Sequence, residues 1–210
     1  MIPGRMIPAR EALARLRVGN RRFVSDDPSG SLNSQVRRHE LANGQEPFAI
    51  ILGCSDSRVP AEIVFDQGLG HLFVIRVAGN IVAPSQIGSV EFAAERFGTR
   101  LVVVLGHSRC GAIQATIEEL QRPTENQSPN LHSIVELVQP AVEPLLLTPL
   151  RHDPAALVAE AVRANVRRSV ESLRHGSAIV ENLVQQDGLL VVGAEYSLDT
   201  GEVEFFDSAS

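Results

Sequence analysis

Cysteine is scarce in this chain of 210 residues: the only two are Cys54 and Cys110, too few for a disulfide scaffold in a domain of this size. Long apolar runs are absent, so no segment is expected to span a bilayer. The opening Met1-Ile2-Pro3-Gly4-Arg5-Met6 lacks the apolar core of a signal peptide. Dense basic runs and basic residues interleaved with aromatics are also missing, and 19 basic against 25 acidic residues give a formal charge of -6. Nucleic acid and membrane are therefore not expected as partners. With no repeat or low-complexity tract, these exclusions leave a soluble, cytoplasmic globular protein, whose 44% hydrophobic residues suffice for one substantial core.

What is present is an alternation of helical patterns with short apolar runs, the mark of a parallel α/β sheet. Leu13, Leu16, Val18 and Phe23 give the segment from Ala9 to Phe23 the period of an amphipathic helix, and a second helix is expected between Leu32 and Asn43. Strands are expected at Phe48 to Leu52, Leu72 to Val77, Leu101 to Leu105 and Leu189 to Val192. Helices fall from Pro84, from Gly111 to Leu120, from Leu131 to Leu147, and from Pro154 to Gln186 with a break near His175-Gly176. The tract from Gln121 to Asn130 reads as a surface loop, and Asp199-Thr200-Gly201 as a turn sending Val203 to Phe206 back antiparallel. The expected fold is thus α/β: a mostly parallel four-stranded sheet with an antiparallel fifth strand at its edge, flanked by helices. Residues 1–210 form one domain, 1–46 a helical arm and 47–206 the α/β core. The first helix shows no partner within the chain before the first strand, so it is expected to pack on another subunit.

Each cysteine follows a buried-strand pattern and brings companions. Cys54-Ser55-Asp56-Ser57-Arg58 follows the first strand, and His107-Ser108-Arg109-Cys110 the third. Loops at the carboxyl ends of a parallel sheet share one crevice, so two thiols, an imidazole and a carboxylate can meet there. That donor set suits zinc. Cys54, His107 and Cys110 supply three ligands, and Asp56 is a conditional fourth. If Asp56 binds, the site is closed and structural. If Arg58 holds the carboxylate in a two-pronged pair, a position stays open for a water that zinc acidifies, and Asp56 is left to orient it. A pair of buried apolar cysteines, or a reversible disulfide, are the plainer readings of the same residues. The remaining histidines, His39, His71, His132, His152 and His175, lack such company and read as surface or capping residues.

Cys54-Ser-Asp-Ser-Arg-Val-Pro60, Phe73-Val-Ile-Arg-Val-Ala-Gly-Asn80 and Gly106-His-Ser-Arg-Cys-Gly111 together resemble the β-class carbonic anhydrases. The resemblance extends to Gly19-Asn20-Arg21-Arg22-Phe23 and to Tyr196 with the Thr200-Gly201 turn. It implies reversible hydration of carbon dioxide to bicarbonate and a proton, by attack of zinc hydroxide, with one Zn²⁺ per chain on Cys54, His107 and Cys110. It also implies an Asp56–Arg58 dyad, and a homodimer or assembly of dimers with active sites at the subunit interface. By position it assigns Gln45 a hydrogen bond to substrate, Phe73 and Ala78 the walls of the pocket, and Gly111 the space beside zinc. Phe92 stands where plant-type members carry tyrosine, so no phenolic relay is expected. With no tryptophan in the chain, the bicarbonate-inhibited form built around that residue is not expected either.

Two other readings share these motifs. One is hydrolysis of another small heterocumulene such as carbon disulfide. The other is a non-catalytic zinc-binding or redox-sensing protein of the same fold, against which the intact Gln45, Asp56 and Arg58 speak. A flavodoxin-like nucleotide binder fits poorly, because neither strand end carries a glycine-rich phosphate cradle.

Overall fold

A computed structural model describes residues 7–29, 34–123 and 128–206. Its centre is β3, Leu101–His107, every residue of which is buried. A run of leucine and valine without alternation is what a parallel strand covered on both faces requires. On one side of it lie β1, Ala49–Gly53, and then β2, Leu72–Arg76, at the sheet edge; on the other lie β4, Leu190–Tyr196, and β5, Val203–Phe206. The order is β2-β1-β3-β4-β5, parallel throughout except for β5, which pairs antiparallel with β4. This is the architecture that the pattern predicts.

One face of the sheet is covered by α1, Ala9–Val24, and the single-turn α3, Ala61–Val64. The other carries α4, Pro84–Phe97, with α7, Pro154–His175, and α8, Ala178–Gln186. The helix α7 lies directly on the sheet: a Cβ at Gly106 would stand 2.5 Å from a Val166 methyl, and one at Gly193 would stand 2.9 Å from the other. Those two glycines let helix and strands approach closely. Beyond the carboxyl ends of the strands, α5 (Gly111–Gln121), α6 (Pro129–Leu146) and the first half of α7 form a third apolar cluster, which includes Cys54 and Cys110. The remaining helix, α2 (Gln35–Leu41), buries nothing. Among the described residues no helix is long and apolar enough to cross a membrane.

Several boundaries differ from expectation for identifiable reasons. The apolar run of β3 stops at Leu105, but its ladder continues, Gly106 opposite Glu195 and His107 opposite Tyr196, so both β3 and β4 are longer than their hydrophobic stretches. The long helical tract divides at Gly176, where the Ser177 hydroxyl caps α8 by accepting from the amides of Ile179 and Val180. The single turns at α3, Ala78–Asn80 and Pro149–His152 are too short to show a period. The expected start of α2 at Leu32 and the middle of the 121–130 loop lie outside the described residues.

The first helix also packs within its own chain, on residues that follow the first strand. Its Ala12 and Leu16 are fully buried against the sheet face. The amide of Asn20 fastens it further, Nδ2 donating to the carbonyls of Val64 (3.1 Å) and Gly201 (2.9 Å) while Oδ1 accepts from the Val203 amide (2.9 Å). Two of these three contacts were hidden because they join residues about 180 positions apart. Asn20→Ala leaves buried backbone groups unpaired, each costing about 1–3 kcal/mol. Urea unfolding should therefore show a loss of about 3 kcal/mol; a loss below about 0.5 kcal/mol, the level of an ordinary surface change, would mean that α1 is not docked this way in solution.

Candidate metal centre

Adjacent parallel strands place the ligand set. Gly53 of β1 pairs with Leu105 of β3, so Cys54 leaves the sheet beside the end of β3, which carries His107. A tight turn then delivers Cys110 to the N-cap of α5. The Cys54 and Cys110 sulfurs are 4.0 Å apart, and the ligand atoms of Cys54, His107 and Cys110 all lie within 4.8 Å of one another. Two sulfurs on a tetrahedral zinc, each at about 2.3 Å, stand about 3.8 Å apart.

The imidazole of His107 gives the sharper test of fit. Its ring is wholly buried, and Nδ1 lies 3.0 Å from the Ser108 carbonyl. A carbonyl only accepts, so Nδ1 carries the proton and Nε2 presents a lone pair. Nε2 is buried and has no hydrogen-bond partner. A lone pair desolvated beside two thiols, its tautomer fixed from the other side of the ring, is the form of a metal ligand. The residues present fit zinc.

The thiols are poised as ligands in different ways. The hydrogen bond with Cys110 pulls the Cys54 thiol well below its ordinary range against the opposing effect of burial, helped by the Gly79 amide 3.4 Å from Sγ. That same bond and burial push Cys110 up. In metal-free protein the two sulfurs are therefore expected to share one proton.

Asp56 lies at the rim. Its Oδ1 accepts from the amide and Nε of Arg58, each at 2.9 Å, and Oδ2 from Nη2 at 2.7 Å. Arg58 holds the carboxyl well below the usual carboxylate range. The same Oδ2 is 3.8 Å from His107 Nε2. The carboxylate is thus next to the ligand atoms and engaged by a two-pronged guanidinium.

Backbone clamps fix the ligand loops. Arg76, placed opposite Gly53 by the strand register, donates from Nε to the Cys54 carbonyl (3.0 Å) and from Nη2 to that of Asp56 (2.6 Å). On the other loop, the Ser108 amide donates to the Tyr196 carbonyl (3.0 Å) and its hydroxyl accepts from the Leu198 amide (3.0 Å). Arg109, at φ +55°, reaches Asp199 at 2.6 Å. The sequence reading gave Arg76 no role in the loop and Asp199 only a place in a turn. A register argument from the ends of β1 and β2 would have found the first.

The remaining positions divide in two. Ala78 sits in the turn that also brings the Gly79 amide to Cys54, and Gly111 opens α5 where a Cβ would meet nothing within 4 Å. Gln45, Phe73 and Phe92 are elsewhere. Gln45 is exposed and precedes the amino end of β1, whose five residues separate it from Cys54. Phe73 is level with Ile50, and its ring packs with Phe92 (6.1 Å) and Phe97 (6.0 Å), leaving Phe92 53% exposed. The chain does not bring these three to its own metal centre.

Reduced, metal-free protein should show one thiolate per chain at 240 nm that persists well below about pH 8.5, where an ordinary thiol titrates. Cys110→Ala should raise that midpoint, because its sulfur supplies the largest stabilisation of the Cys54 thiolate. Two thiols titrating together near about 8.5 would rule out the shared proton.

Comparison with known proteins agrees with this geometry. Residues 49–203 match the family described as Carbonic anhydrase. The chain is 38% identical over 192 residues to Carbonic anhydrase 2 of Mycobacterium tuberculosis, an alignment covering 91% of this chain and 90% of that one. It is similar in structure to the β-carbonic anhydrase CcaA, with a TM-score of 0.72 and 25% identity over 94% of this chain and 88% of that one. A structure from work on two tetrameric β-carbonic anhydrases of Sordaria macrospora gives a TM-score of 0.73 at 23% identity, covering 82% of this chain and 87% of that one. With its motifs, fold and buried ligand set in agreement, the chain belongs to the β-class carbonic anhydrases, a family of lyases.

Proposed function

We propose that the chain catalyses the zinc-dependent, reversible hydration of carbon dioxide to bicarbonate and a proton. The observation that carries this reading is the orphaned, buried Nε2 of His107 beside the Cys54 and Cys110 sulfurs, with Asp56 engaged by Arg58 at the rim. Cys54, His107 and Cys110 would hold one zinc per chain. Bound there, zinc supplies Lewis acidity and brings the pKa of a water towards neutrality.

The residues around the ligands divide the remaining work. Asp56, ionised at neutral pH by its pairing with Arg58, accepts a hydrogen bond at a carboxylate oxygen and aims a lone pair of the attacking water at carbon. Its low pKa makes it a poor proton store, so the proton leaves by another route. If Arg58 lets go, Asp56 is near enough to close the fourth ligand position, which would silence the site. Ala78 and Gly111 give carbon dioxide an apolar, open approach.

Gln45, Phe73 and Phe92 act, in this proposal, across a homodimer: the partner's Gln45 donates a hydrogen bond to a substrate oxygen, and the two aromatic rings wall the pocket. Their placement far from the ligands of their own chain supports it, as does the unpaired edge of β2, which carries Phe73.

Stopped-flow hydration on protein assayed for zinc tests the reading. Activity should track one zinc per chain, and Asp56→Ala should lower it about a hundredfold with zinc retained, in the range of a lost proton-orienting group. Stoichiometric zinc without hydration would overturn the proposal. A mixture of Gln45→Ala and Asp56→Ala chains, each inactive alone, should recover about a quarter of wild-type activity, because one composite site in each two-fold heterodimer is intact. No recovery would place Gln45 in the site of its own chain.

A further inference from the structure

We propose that Asn165, on α7, is a positioning residue for the metal-binding thiolate of Cys54, acting through the turn that contains Gly79; the inference rests on the metal reading above. Gly79 is 25 residues from Cys54 in sequence and Asn165 a further 86, yet two short contacts connect the three. The buried Sγ of Cys54 accepts the amide of Gly79, 3.4 Å away. The carbonyl of Gly79 in turn accepts from Nδ2 of Asn165 at 2.7 Å.

The turn needs holding. It is closed by the Asn80 amide on the Val77 carbonyl (3.1 Å), and Gly79 and Asn80 adopt left-handed φ values of +70° and +44° in succession. Asparagine tolerates left-handed backbone better than other residues with a side chain, and here its surroundings hold it there. A Cβ at Gly79 would also stand 3.2 Å from that of Ala112. The holding groups are Asn165 and, one helical turn on, Ser169, whose hydroxyl donates to the Asn80 carbonyl at 3.0 Å. Both are buried, at 2% and 4% exposure, in a helix stripe otherwise made of Leu157, Ala161, Val162, Val166, Val170 and Leu173. Polar groups in such a stripe are costly unless paired, and each is paired to this turn.

The helix that makes these contacts is itself fixed against the sheet by Val166 over Gly106, the residue before His107. A single rigid element therefore sets the Gly79 N–H relative to both ligand loops. That N–H draws charge from the thiolate and limits the directions in which its lone pairs point, the office of a hydrogen bond one step outside a metal's ligands.

The test uses full-length protein loaded with Co²⁺, reading the thiolate-to-cobalt charge-transfer band and the rate at which a chelator strips the metal. Asn165→Leu keeps a similar volume but has no hydrogen to donate to the Gly79 carbonyl. It should move the band to longer wavelength, as the thiolate regains charge, and speed release about ten- to a hundredfold. Ser169→Ala should shift both in the same direction by less, and it carries the test if the first variant does not fold. Leu173→Ala, which thins the packing of the same helix near its far end, away from Gly106 and the turn, should lower thermal stability but leave band and release rate at wild-type values. Asn165→Leu with an unaltered band and rate would overturn the proposal, as would Leu173→Ala matching it in both. Wild-type protein that takes up no cobalt would bring down the metal reading and this inference with it; uptake by wild type with no effect of either polar substitution would sink this inference alone.

Discussion

Everything at the metal centre depends on the register of two neighbouring parallel strands, β1 ending two residues short of the end of β3. With Gly53 opposite Leu105, Cys54 and His107 emerge side by side, and a turn of two residues suffices to return Cys110 to them. A slip of one residue in that pairing would turn the His107 ring to the opposite face of the sheet. Buried apolar side chains on both faces fix the register, and so does α7, which can seat on β3 and β4 only where Gly106 and Gly193 leave room. The centre is therefore built on rigid elements, with only short loops between scaffold and ligands.

Burial then determines what the centre demands. Cys54, His107 and Cys110 are 5%, 0% and 1% exposed, so their polar atoms have no water to fall back on. Such groups pair or cost free energy. Nδ1 of His107 is satisfied by Ser108 and Cys54 by Gly79, which leaves the Nε2 lone pair and the sulfurs facing one point. Two thiolates and a neutral imidazole around a divalent cation sum to zero charge, and Asp56 with Arg58 forms a second neutral unit alongside. In the proposed function Arg58 would serve the metal indirectly, because a carboxylate occupied by a guanidinium does not compete for a ligand position.

The strands, their mostly parallel arrangement with an antiparallel last strand, and the meeting of Cys54, His107 and Cys110 were legible because each rests on local signals: β-branched runs, glycine turns, and ligand-capable residues at strand ends. Lengths were less legible, since β3 and β4 continue through Gly106, His107, Glu195 and Tyr196 by ladder pairing that no hydrophobic pattern records. The intrachain docking of α1 was not legible for a related reason, because its fastening by Asn20 joins both ends of the chain. Asn165 and Ser169 went unnoticed, although two polar residues in the buried stripe of α7 were a signal in plain view. Such residues are meaningful only once the turn that they hold is known.

The placement of Gln45, Phe73 and Phe92 sets a geometric condition on any complete site. A strand rises about 3.3 Å per residue, so the five residues of β1 hold its two ends roughly 16 Å apart. No side-chain rotation spans that distance, and a buried strand in mid-sheet does not shorten. If these residues serve a metal at the carboxyl end, it must be that of another copy. A two-fold axis perpendicular to the strands supplies the needed reversal, setting the amino end of one sheet against the carboxyl end of the next. The free edge of β2, with the exposed ring of Phe92 beside it, is where such a contact fits without disturbing a ladder already formed. An assembly of this kind makes two sites at once or none, and so ties activity to association.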